Sequence, residues 1–108
     1  MSDAVASLLG ICRRAGKVIS GETAVRNAFL KNEVKLLILA GDASRRSQEN
    51  FIQLAKENSV PAFCYSSKNE LGFLLGKAPR TAVAIIDEQL ARGIAGAMER
   101  GEIDLCTF

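Results

Sequence analysis

The run "VKLLILA", Val34 to Ala40, carries one charge in seven positions, and "TAVAIID", Thr81 to Asp87, carries one at its very end. Neither run alternates apolar with polar. A strand with water on one face alternates, so these two read as strands covered on both faces. Two such strands need helices above and below them. The chain between and around them supplies those helices. Val5, Leu8, Leu9 and Cys12 recur at helical spacing. So do Ala24, Val25, Ala28 and Phe29, after a short strand "KVIS" and Gly21. Asp42 or Ser44 in "GDAS" can cap the helix whose buried side is Phe51, Ile52 and Ala55. Pro61 ends the following turn and "AFCY" is a further strand. Ser67-Lys68-Asn69-Glu70 has the form of a capping box, and Gly76 stops the helix it starts. Leu90, Ile94, Ala97 and Met98 mark a last helix. The order α-β-α-β-α-β-α-β-α predicts an α/β fold: a three-layer α/β/α sandwich around a small four-stranded mixed sheet. At 108 residues, 1–108 is expected to be one domain.

Composition narrows the chemistry. The apolar share of 48% is enough for a core, and with aromatics at 6% that core is aliphatic. There is no histidine, which removes Ser-His and Cys-His nucleophile pairs and the usual neutral-pH base. Cys12, Cys64 and Cys106 are odd in number and far apart, and read as small buried or half-buried thiols. No metal and no cofactor is expected. No apolar run nears the roughly 18 residues of a membrane helix. "MSDAVASLL" has no basic residues ahead of its apolar stretch, so a cytoplasmic protein without a signal peptide is expected.

Three features invite site readings. "GFLLGKA", Gly72 to Ala78, resembles a phosphate loop. Its spacing is one short, Lys77 lacks a following Ser or Thr, and a helix precedes it where a strand is required. Its glycines read as a packing glycine and a helix stop. Asp42 and Asp87 each follow a buried strand and could pair on a metal, or each could cap a helix; capping is the commoner use. The third feature is charge. Residues 13–35 hold six bases, Arg13, Arg14, Lys17, Arg26, Lys31 and Lys35, against Glu22 and Glu33. Residues 87–104 hold five acids against two bases. At the basic strand-to-helix corner Gly21 offers bare backbone, and the helix start behind it offers free N–H groups. That combination suits a phosphate backbone. Interleaved aromatics are lacking, so a nucleic acid here is read by backbone and shape rather than by stacked bases.

"LLGICRRAGKVISGETAV", "KLLILAGDAS", "VPAFCYSSKNELGFLLGK" and "AVAIID" occur in that order and resemble the kink-turn RNA-binding superfamily of ribosomal proteins, above all its small bacterial YlxQ-like members. The resemblance spans Leu8 to Asp87. It implies an α/β/α sandwich that binds a sharply bent RNA, ribosomal or otherwise structured, without catalysis. It implies two contact surfaces. One is the start of the second helix: Gly21, Glu22, Thr23, Ala24, Asn27 and Lys31, with Arg14, Lys17 and Arg26 flanking. The other is the loop Gly76, Lys77, Ala78, Pro79 and Arg80. Where the family carries Asn-Glu-x-x-Lys, this chain has Thr23, Ala24 and Asn27, so the guanine-reading carboxylate is absent and a relaxed RNA target is expected, with Arg26 compensating for the lost lysine. A monomer with no membrane and no DNA partner is expected. The alternative is a protein-interaction scaffold that kept the fold and lost specific RNA recognition.

Overall fold

In the computed structural model, residues 4–100 are described. The elements are α1 (Ala4–Ala15), β1 (Val18–Ser20), α2 (Glu22–Leu30), β2 (Leu36–Leu39), α3 (Arg45–Glu57), β3 (Ala62–Cys64), α4 (Lys68–Leu75), β4 (Ala82–Ile85) and α5 (Glu88–Arg100). The four strands form one sheet in the order β1-β4-β2-β3. β2 is parallel to β3 and antiparallel to β4, and β1 is antiparallel to β4, so the sheet is mixed. The two apolar runs are thus the central strands. Every residue of Leu36–Leu39 and Ala82–Ile85 is fully buried.

The period-two alternation of those strands sorts their side chains into two cores. Leu36, Ile38, Val83 and Ile85 point to one face, where Leu9 and Cys12 of α1, Leu71 and Leu75 of α4, and Ile94 and Met98 of α5 cover them. Leu37, Leu39, Ala82 and Ala84 point to the other, under Val25, Ala28 and Phe29 of α2 and Phe51, Ile52 and Ala55 of α3. This is the expected three-layer sandwich. Burying a Leu or Ile on such a face contributes about 1.5–3 kcal/mol relative to leaving it in water. Ala82 and Ala84 are small, which lets α2 lie close over β1 and β4. Ala24 is exposed and does not belong to the apolar stripe of α2.

Helix starts follow their sequence signals with one exchange. The Ser44 side chain accepts from Ser47 N–H at 3.1 Å and caps α3. Ser67 accepts from Glu70 N–H at 3.1 Å and caps α4. Asp87 accepts from Leu90 N–H at 2.9 Å and caps α5. Asp42 does not cap α3. Its carboxylate accepts from Lys68 N–H at 2.8 Å and ties the loop after β2 to the start of α4. Asp42 and Asp87 also cannot share a metal ion. Because β2 and β4 are antiparallel, with Leu39 opposite Ala82 and Leu36 opposite Ile85, the two strands end at opposite edges of the sheet. At 3.3 Å per residue that separates the carboxylates by the length of the strand, well over 10 Å. Cys12 is a buried free thiol. Burial first, and then the nearby Asp87 carboxylate, push its pKa up. Cys64 is half-buried and disulfide-bonded rather than a thiol. Cys106 lies outside the described residues.

Candidate nucleic-acid interface

The corner between β1 and α2 turns on Gly21, whose φ of 98° and ψ of 148° lie where only glycine is at ease. Its N–H donates to Ala82 O at 3.0 Å and its C=O accepts from Val25 N–H at 2.9 Å. A glycine has no side chain to cap the helix it starts. The N–H groups of Glu22, Thr23 and Ala24 therefore lack an intrahelical partner. α3, α4 and α5 each have a side-chain cap. α2 has none, so its positive end is left open to an outside acceptor. Thr23, Ala24 and Asn27 are exposed on this first turn and a half. Glu22 and Arg26 form a surface pair at 3.9 Å.

The loop from Gly76 to Arg80 arrives at the same place. Gly76 closes α4 in the left-handed region, φ 67° and ψ 34°, and Lys77 N–H donates back to Gly72 O at 2.8 Å. Gly72 is buried because the loop folds onto it. A β-carbon there would stand 2.3 Å from the Ala78 carbonyl oxygen. Arg80 N–H donates to Lys68 O at 3.0 Å, and Arg80 Nε donates to Ser20 Oγ at 3.1 Å. Ser20 pairs with Val83 in the sheet. The two surfaces implied from sequence, the start of α2 and the loop before β4, thus sit side by side on one sheet edge.

Not every flanking cation joins them. Lys17 enters β1 at the end away from Gly21, where its C=O accepts from Ile86 N–H at 3.0 Å. Lys31 caps the far end of α2, nine residues and roughly 14 Å along the helix. α2 leads into β2 where Lys35 N–H donates to Ile85 O at 2.8 Å, so Lys17 and Lys31 share that far end. Arg26 is drawn over the Phe51 ring, 4.6 Å from its centroid, toward α3. Arg14 extends back along the outer side of α1, its Nη1 3.7 Å from where a β-carbon on Gly10 would be. Its neighbour Arg13 takes the opposite course. It lines a groove of about 310 Å³ with Gly16, Val18, Ser20, Gly76 and Lys77. Arg13 counts among the six bases of the segment 13–35 but lies on neither contact surface implied from sequence. Consecutive helix residues diverge by about 100°, so one of the two arginines had to face α4, but only the position of α4 says which. A second cleft of about 330 Å³ lies at the opposite end of the sheet; there Arg92 is neutralised by Glu88 at 2.6 Å.

The fold is an α/β/α sandwich in which an uncapped helix start stands beside a basic loop, an arrangement whose chemistry suits an anion. The chain belongs to the ribosomal protein L7Ae/L30e/S12e/Gadd45 family, whose pattern matches residues 3–94. It is similar to the RNA-binding protein YlxQ of Bacillus subtilis (strain 168), 32% identical over 92 residues that cover 85% of this chain and 92% of that one. It is similar to the large ribosomal subunit protein eL8 of Thermoplasma acidophilum, 29% identical over 92 residues, 81% of this chain and 76% of that one. Among solved structures, a protein of unknown function from Bacillus halodurans C superposes with a TM-score of 0.87 at 26% identity, covering 91% of this chain and 99% of that one. Among the described residues no helix is long and apolar enough to cross a membrane.

Proposed function

We propose that the chain is a non-catalytic, ribosome-associated RNA-binding protein that acts as a cytoplasmic monomer without a cofactor. It holds a structured, kink-turn-like RNA between the start of α2 (Gly21 to Asn27) and the loop Gly76–Arg80. The observation that carries this reading is the open N-terminus of α2 standing against that loop, joined to it through the Arg80–Ser20 hydrogen bond at 3.1 Å. Backbone N–H groups and side-chain cations then face one phosphate backbone from two elements. The family membership and the RNA-binding name of the YlxQ relative support the same partner class. Ala24 offers no carboxylate to a guanine edge and Asn27 no charge, so shape and backbone carry recognition and the tolerated RNA set is broad.

A mobility-shift series with a kink-turn RNA, a straight duplex and total ribosomal RNA tests this. Binding of the kink-turn and of ribosomal RNA, weakening steeply with salt, is the expected outcome. No shift with any of the three returns the chain to the scaffold reading, which the absent carboxylate at Ala24 and the engagement of Arg26 with Phe51 favour.

A further inference from the structure

We propose that the groove between α1, the edge strand β1 and the end of α4 is a phosphate-binding site, with Arg13 its principal ligand, and that it extends the RNA surface beyond the start of α2. This rests on the RNA reading above and names a contact that the reading does not contain. Three observations carry it. The Arg13 guanidinium lies over Gly76 on a different helix: a β-carbon on Gly76 would stand 2.5 Å from Nη2 and 2.7 Å from Cζ. An arginine in the last turn of a helix ordinarily serves that helix's own negative end. Here the last turn of α1 is already closed by Gly16 N–H to Arg13 O at 3.2 Å and Lys17 N–H to Cys12 O at 2.9 Å, and the guanidinium crosses to α4 instead.

The second observation is electrostatic. The groove receives Arg13 from one wall and Lys77 from the other, and none of its lining residues is acidic. Among the described residues Arg13 has no ion-pair partner. Two cations held across a groove that no carboxylate lines, and offset only in part by the negative end of α4 under Arg13, favour an anion between them. The third is continuity. Ser20 lines the groove and accepts from Arg80, and Gly21 follows it directly. The open N–H groups of α2 therefore begin where the groove ends. A phosphodiester seated beside Arg13 and Lys77 is the next along a backbone whose neighbour lies on α2. The planar guanidinium meets two phosphate oxygens at once, which a lysine cannot do.

The test compares Arg13→Ala, Arg13→Lys and, as a charge-matched control on the opposite face, Arg46→Ala, in salt-dependent binding of a kink-turn RNA. Arg13→Ala is expected to lower the log–log salt slope by about 0.7–0.9 and weaken binding about three- to tenfold across RNA sequences. Arg13→Lys is expected to keep the slope and lose part of the affinity, and Arg46→Ala to change neither. Melting temperatures within a degree or so of the natural chain exclude a folding artefact, since Arg13 is exposed. Amide shifts of Gly76 and Lys77 on titration with RNA, and separately with inorganic phosphate and a nucleoside monophosphate, identify the source of the phosphate. Tight RNA binding that Arg13→Ala leaves untouched overturns the proposal while sparing the RNA reading. Shifts at Gly76 and Lys77 with free phosphate alone, and none with RNA, overturn it too. Absence of RNA binding by the natural chain would instead sink the reading beneath it.

Discussion

Gly72 gives the sharpest stability test. In the interior of a helix, glycine to alanine ordinarily stabilises by about 1 kcal/mol, because alanine loses less backbone entropy on folding. At Gly72 the new β-carbon would stand 2.3 Å from Ala78 O, 2.7 Å from Ala78 C and 2.9 Å from Lys77 O. All three are backbone atoms, so none can swing aside as a side chain would. Relief needs the loop to lift by roughly 1 Å, which strains the Lys77–Gly72 and Arg80–Lys68 hydrogen bonds. Overpacking of this kind costs about 1–3 kcal/mol, and a rigid backbone obstacle puts it at the upper end. After the helical gain is subtracted, Gly72→Ala should destabilise by about 1–2 kcal/mol. In a domain of this size that lowers Tm by about 4–8 °C. Gly10 and Gly93 are the internal comparison. Their nearest atoms are side-chain ends at 3.7 Å, so Gly10→Ala and Gly93→Ala should hold or raise Tm. Thermal melts followed by circular dichroism, with RNA binding of the same variants at one salt concentration, read both consequences. Gly72→Ala should bind RNA more weakly because Lys77 and Arg80 ride on the displaced loop. A Tm at or above that of the natural chain would refute the packing argument.

Four further outcomes are expected. Thr23→Asn, Ala24→Glu and Asn27→Lys together restore a guanine acceptor and a cation on an exposed helical turn, and should raise the preference for a kink-turn over a straight duplex roughly ten- to a hundredfold with little change in Tm; a natural chain already as selective would move recognition to the Gly76–Arg80 loop and shape. Lys17→Ala with Lys31→Ala, both at the end of β1 and α2 away from Gly21, should leave the salt slope nearly unchanged, and a slope flattened by about 1.4 would extend the contact along the whole of α2. Gly21→Ala should destabilise by about 1–3 kcal/mol although no atom lies within 4 Å of the new methyl group, because the strain is in the backbone; an unaltered urea midpoint would contradict that. For Cys12 the native pKa is raised, so the unfolded chain releases the thiol proton at lower pH than the native one. The stability it contributes is whole below its usual value of 9.0 and is lost as pH rises past it. The urea midpoint of the natural chain should therefore fall between about pH 8 and pH 10 by more than that of Cys12→Ala.

Much of the fold was legible because the strongest signals are local. Val34–Ala40 and Thr81–Asp87 had to be covered on both faces, and they became the two central strands. Ser67, Gly76 and Asp87 act within a few residues of themselves, and each does what its type predicts. For the candidate site, the meeting of Gly21 with the loop before β4 is the part that the structure bears out. The site was obscure where it depended on through-space pairing. Nothing local says that β4 runs against both its neighbours, yet that direction parts Asp42 from Asp87. Nothing local says that β1 and α2 lie side by side, yet that carries Lys17 and Lys31 away from Gly21. Asp42 meets an N–H group 26 residues on, and Arg13 meets a glycine on another helix. Sequence patterns report the period of an element and say little about which neighbour a flanking side chain will find.

The position of β4 has a kinetic consequence. Among the described residues β1 pairs with β4 alone, and β2 meets β1 only through it. Yet β4 follows the other three described strands, so its pairing with Val18–Ser20 closes a loop of more than sixty residues. Such closure is slow compared with the formation of local helices. Until it happens, Gly21 has no Ala82 carbonyl to hold it and Arg80 has no ordered Ser20 beside it. The edge that carries Gly21 and Arg80 is therefore complete only once this long-range pairing has formed. A chain that has not finished folding presents the same lysines and arginines without the geometry that arranges them, and can engage RNA only as a loose polycation.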